Sequence, residues 1–79
     1  MLTESELKDR VGFILGLEEQ GDQADWLAIA SLSTELLQQL PETAPQVVRA
    51  YLTDSDIRRA SASFASDQLF RLIEYLRSK

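Results

Sequence analysis

The chain has 79 residues, 44% of them apolar, with 13 acidic residues against 8 basic ones and neither cysteine nor histidine. This composition excludes disulfide bonds, thiolate nucleophiles, imidazole bases and the usual zinc and haem ligands. We therefore expect no catalytic residues, no cofactor and no metal site. A chain this short forms one domain at most, 1–79. Its small core gives it limited stability, so we expect copies of the chain to associate.

The net charge of −5 is unevenly distributed. Residues 1–42 carry nine acids and two bases, whereas residues 43–79 carry six bases and four acids. An acidic half and a basic half usually form solvated surfaces that attract each other, either within one fold or between protomers. The alternative is a partner that binds one half alone. The overall acidity disfavours nucleic acid as a partner.

The N-terminal segment resembles neither an export signal nor a membrane anchor. It carries Glu4 and Glu6 where a secretory peptide would be positively charged. The longest apolar run near it, 11–17, is far shorter than the roughly 20 residues needed to cross a bilayer. We therefore expect a cytoplasmic protein with no membrane partner.

The first predicted helix covers 4–20. Thr3 and Glu6 have the spacing of a capping box, and Gly21 provides a C-terminal stop. Apolar residues then recur on one helical face: Leu7, Val11, Ile14 and Leu15.

Gly12 and Gly16 interrupt this helix. Each costs about 1 kcal/mol relative to alanine, so a short strand over 11–17 is the alternative. In a helix, small residues four positions apart let a second helix approach closely, either within the chain or from another copy.

The second predicted helix covers 23–40, with Asp22 as its cap and Pro41 after its end. Its buried stripe is Trp26, Ile29, Ala30, Ser33, Leu36, Leu37 and Leu40. Pro45 is suited to the first turn of a short helix over 45–52.

The last predicted helix covers 55–77 and follows the cap residues 54–56. Its stripe is Ile57, Ala60, Ser61, Phe64, Ala65, Leu69, Leu72, Ile73 and Leu76. A break within 60–66, with Ser63 or Ser66 capping a separate helix, is the alternative. The fold class is therefore all-α: a small bundle of three main helices plus one short connecting helix.

The carboxylates at Glu18, Glu19, Asp22 and Asp25 surround a polar glycine turn. A carboxylate needs desolvation to act as a general acid near neutral pH. We therefore assign all four to solvent.

Six apolar residues lie outside the main stripes: Phe13, Leu17, Leu27, Leu32, Phe70 and Tyr75. A monomer of this size has little interior for them, and contiguous exposed apolar surface usually marks an interface. We expect a non-catalytic protein-interaction or regulatory module that forms a homodimer and could bind a further protein partner. The predicted contact residues are Phe13, Leu17, Leu27, Gly12 and Gly16.

The alternative is a helix-turn-helix in the basic half. One helix would end near Ser61 and a second would begin at Ser66 and enter a DNA major groove. The predicted nucleic-acid contacts are Arg49, Arg58, Arg59 and Arg71.

Overall fold

The computed structural model describes residues 2–78, in which the chain forms five α-helices and no strands. They are α1 (Glu4–Glu18), α2 (Trp26–Gln39), α3 (Gln46–Thr53), α4 (Ser55–Ala60) and α5 (Ala62–Arg77). The all-α prediction is confirmed. The segment 11–17 is helical, so the strand alternative is wrong.

The capping box at the start of α1 is formed as predicted. The Glu6 amide donates to Thr3 Oγ1, and the Thr3 amide donates to Glu6 Oε1, both at 3.1 Å. The helix ends at Glu18, two residues before the predicted boundary. Gly21 then takes the left-handed conformation, with φ of 66°, which is strained for other residues.

The cap of α2 is Asp25, whose Oδ1 accepts from the Ala28 amide at 3.1 Å. The prediction of Asp22 as the cap was wrong because Gly21–Gln23 forms a short 3₁₀ turn that delays the helix. The helix ends at Gln39, immediately before the segment containing Pro41, as the sequence indicated.

The prediction of one helix over 55–77 was wrong, because the chain breaks at Ser61. Ser61 has an extended backbone (φ −135°, ψ 111°), and its Oγ accepts from the Phe64 amide at 3.3 Å. The serine that caps α5 is thus Ser61 rather than Ser63 or Ser66. The prediction that Ile57 is buried was also wrong: Ile57 is 48% exposed, and Arg58 faces inward instead.

Helix α2 is central to the bundle. It packs against α1, α3 and α4, while α5 covers α3 and α4. The apolar side chains buried between these helices are Leu7, Val11, Ile14, Leu15, Ile29, Leu36, Val48, Tyr51, Leu52 and Leu72. The Cα radius of gyration is 11.7 Å, which matches the roughly 12 Å of a compact chain of this length.

Lys8 ties the end of α5 to α1. Its Nζ donates to the Ser78 carbonyl oxygen at 2.6 Å and lies 5.1 Å from the centre of the Tyr75 ring. It also lies 3.5 Å from a Glu4 carboxylate oxygen.

Candidate protein-interaction site

A groove runs between α1 and α2 and encloses a cavity of about 230 Å³. Its apolar wall is formed by Phe13, Ile14, Leu32 and Leu36, and its polar lining by Asp9, Arg10, Glu35 and Gln39. Ile14 and Leu36 also belong to the core, so the groove reaches down to the interior of the bundle. An apolar cavity open on one side can accept a large side chain from another molecule.

Phe13 stands at the edge of this groove with 63% of its surface exposed. Phe13 is two positions from each of the buried residues Val11 and Leu15. Because successive residues in a helix point about 100° apart, Phe13 lies on nearly the opposite side of α1 from both. Leu17, one turn further, is partly buried and packs against the core. Of the two aromatic or aliphatic contacts predicted on α1, Phe13 is therefore the one available to a partner.

Leu27 is 84% exposed in the first turn of α2. It lines a shallow hollow on the outer face of that helix, together with Ala30, Ser31, Thr34, Glu35 and Gln38. Glu35 lines both this hollow and the groove, so the surface carrying Leu27 adjoins the groove. Phe70, which is 66% exposed, lies on α5 and lines neither.

The remaining residues outside the stripes are partly buried. Leu32 and Tyr75 pack against the core, as Leu17 does. The six residues therefore divide equally between half-buried side chains and the exposed Phe13, Leu27 and Phe70.

The outer side of α1 at Gly12 and Gly16 is open. A Cβ atom built on either glycine would meet no atom of another helix within 4 Å. The two glycines are therefore not needed for close packing between helices of one chain, which removes the intrachain explanation for this pair. Both positions leave room for the backbone of a partner helix to approach α1.

A buried polar cluster lies at the other end of α1. Arg58 Nε donates to Glu18 Oε2 at 2.9 Å, and Tyr51 Oη donates to Glu18 Oε1 at 3.0 Å. The Arg58 guanidinium also lies 3.9 Å from the centre of the Tyr51 ring. Glu18 and Arg58 are only 8% and 3% exposed, so the assignment of Glu18 to solvent was wrong.

The cluster extends to α5. Arg58 Nη1 donates to the Tyr51 carbonyl oxygen and, at 2.6 Å, to Gln68 Oε1. Gln68 Nε2 donates in turn to Asp54 Oδ2 at 3.0 Å. The Asp54 side chain therefore binds Gln68 instead of capping α4, contrary to the predicted role of 54–56.

Burial raises the pKa of Tyr51, and the negative charge of Glu18 raises the pKa further. Tyr51 is consequently a neutral hydrogen-bond donor over the physiological range. The cluster has a satisfied carboxylate and a guanidinium that cannot lose its proton, so it offers no general base. Its geometry indicates a structural role in joining α1, α3, α4 and α5.

The four arginines of the nucleic-acid alternative differ in exposure. Arg58 is buried, and Arg49 is half-buried with Nη2 donating to the Pro41 carbonyl oxygen at 2.8 Å. Arg59 and Arg71 are exposed. The predicted turn over 61–66 is also replaced by a one-residue break at Ser61. Two of the four arginines therefore remain open to a phosphate.

Within residues 2–78, no three acidic side chains converge in a way that would hold a metal ion. In the same part of the chain, every helix is too short or too polar to traverse a lipid bilayer. No protein family, curated protein or solved structure matches this chain.

Proposed function

We propose that the protein is a non-catalytic, cytoplasmic interaction module that forms a homodimer through the groove between α1 and α2 and the outer side of α1. The observation that carries this proposal is the exposure of Phe13 beside an open apolar cavity. Exposed large apolar side chains next to a concave apolar surface are typical of interfaces. Leu27 and the open glycine positions extend the same surface.

The charge distribution supports a role in partner selection. Exposed acids outnumber the one exposed arginine, Arg10, on α1 and α2, whereas the other exposed arginines of the described residues lie on α4 and α5. Charged groups around an apolar contact mainly determine association rate and specificity rather than affinity. Nucleic-acid binding has less support, because Arg58 is buried against Glu18 and its charge is already paired.

The test compares substitutions on two faces by measuring the mass in solution at several concentrations. We expect Phe13→Ser and Leu27→Ser to shift the monomer–dimer equilibrium towards monomer. Phe70→Ser is the matched control, since Phe70 is about as exposed as Phe13 but lies on α5. Dissociation caused by Phe70→Ser alone, with the other two variants dimeric, would contradict the proposed surface.

A further inference from the structure

The rim of the groove carries charges of both signs. Asp9 and Arg10 come from α1 and Glu35 from α2, and all three are exposed. Among the described residues the ion pairs are Lys8 with Glu4 and Arg58 with Glu18. The rim charges are therefore unpaired within the protomer.

The cavity is large enough for an aromatic ring. A cavity of about 150 Å³ accepts benzene, and this one measures about 230 Å³. Phe13 forms part of the wall and remains 63% exposed, so its own ring does not fill the space. A second copy of the chain presents the same ring on the same rim.

We propose that Phe13 of a second copy occupies the groove, in a two-fold symmetric dimer in which Arg10 of each protomer faces Asp9 and Glu35 of the other. This inference rests on the proposed function and specifies its partner and its geometry. In a two-fold dimer each contact occurs twice, so a rim with both signs of charge complements itself. A rim of carboxylates alone would repel its copy.

A contact between the groove and the exposed arginines of α4 and α5 has less support. That contact would join two different surfaces, so each protomer would keep one surface free and the assembly could grow without closing. A typical dimer interface takes roughly 800 Å² from each protomer. The whole chain exposes 5342 Å², so such an interface would cover about 15% of the protomer's surface.

The test reverses the positive charge of the rim in one variant and its negative charges in another. Arg10→Glu makes the rim wholly acidic, and Asp9→Lys/Glu35→Lys makes it wholly basic. We expect each variant alone to dimerise about tenfold or more weakly than the original chain, because like charges then face each other across the axis. Mixed in equal amounts, the two variants are expected to form a heterodimer, since both copies of the charge contact are then favourable.

Sedimentation measures the mass of each sample, and circular dichroism checks that helix content is retained. The control pair, Arg59→Glu and Asp22→Lys/Glu42→Lys, changes the charge equally at exposed positions away from the rim. We expect its members to dimerise alone as well as the original chain does. If a rim variant loses helix content, Arg10→Gln and Glu35→Gln replace the reversals, and each is then expected to weaken the dimer.

Two results overturn the inference, and they are distinguishable. In the first, the original chain dimerises but the rim variants also dimerise alone, or their mixture forms no more heterodimer than the control mixture does. This geometry is then wrong and the proposed function stands. If the original chain is monomeric throughout, the proposed function fails as well.

Discussion

Arg58 Nε lies 2.9 Å from Glu18 Oε2 in the interior of the bundle, forty positions apart in the sequence. The pair joins the end of α1 to α4, and Tyr51 and Gln68 add further hydrogen bonds, although the buried Arg58 Nη2 has no partner. A buried ion pair contributes little net stability over an apolar replacement, but loss of one partner leaves a buried charge unpaired. The pair therefore determines how these helices fit together more than how stable the fold is.

The first prediction concerns this ion pair. Arg58→Met is expected to lower the free energy of unfolding by about 3–5 kcal/mol, because Glu18 stays buried without its cation. Glu18→Leu/Arg58→Met is expected to recover much of that loss. Urea unfolding measures both. Glu4→Ala removes the exposed Lys8–Glu4 pair and is expected to cost less than about 1 kcal/mol. Equal losses in Arg58→Met and Glu4→Ala would argue against a desolvated pair.

The second prediction concerns alkaline pH. The pKa of Tyr51 is raised by burial and by Glu18, whereas in the unfolded chain it is about 10. As the pH rises, the unfolded state therefore loses the Tyr51 proton first. The free energy of unfolding is unaffected by this proton below about pH 10 and decreases above that pH. Unfolding in urea at several pH values measures the decline.

Tyr51→Phe is expected to flatten that alkaline decline relative to the original chain. Burial also raises the pKa of Tyr75, with a further contribution from Glu4, but Tyr75 is the less buried of the two. Tyr75→Phe is therefore expected to flatten it less. An alkaline profile unchanged by Tyr51→Phe would show that Tyr51 does not titrate with folding.

The third prediction concerns the serine cap of α5. Ser61→Ala is expected to reduce stability by about 1 kcal/mol, because the Phe64 amide loses its acceptor. Ser63→Ala and Ser66→Ala replace exposed residues within the helix and are expected to be neutral or slightly stabilising. Thermal unfolding of the three variants ranks them. A larger loss in either control than in Ser61→Ala would place the cap elsewhere.

The fourth prediction concerns the open glycines. Gly12→Ala and Gly16→Ala are each expected to stabilise the folded protomer by about 1 kcal/mol, since alanine favours the helix and its Cβ would meet no atom of another helix. If a partner helix approaches this side, the same substitutions weaken dimerisation. Unfolding at a fixed low concentration and mass at several concentrations separate the two effects. Dimerisation unchanged by both would exclude the glycines from the contact.

The sequence predicts the apolar stripes of α1 and α2 well, because regular spacing and strong caps agree there. The polar interior was missed, although one signal was present. Glu18 follows Leu7, Val11 and Ile14 at spacings of four, three and four residues, so it continues their stripe. A charged residue in that position requires a buried partner, and no local rule identifies Arg58 as that partner.

Helix α4 shows why the C-terminal half was harder to predict. Helical spacing over 55–77 is satisfied by one helix with Ile57 inward, and the hydrophobic pattern alone favours that orientation. The break at Ser61 lets α4 take an orientation in which the Arg58 side chain contacts Glu18. A tertiary ion pair thus overrides the local pattern. The sequence predicts Phe13 and Leu27 as contact residues but not the groove, since a cavity between two helices depends on how they pack.

The proposal that two copies of this chain form a closed dimer is decided by the average mass in solution over a dilution series. Sedimentation equilibrium from about 1 µM to about 1 mM covers the affinities expected of a small dimer. If the protein forms a closed dimer, the mass rises from 8.9 kDa towards twice that value and stops there. A mass that stays at 8.9 kDa throughout, or that rises beyond a dimer without a plateau, would contradict it.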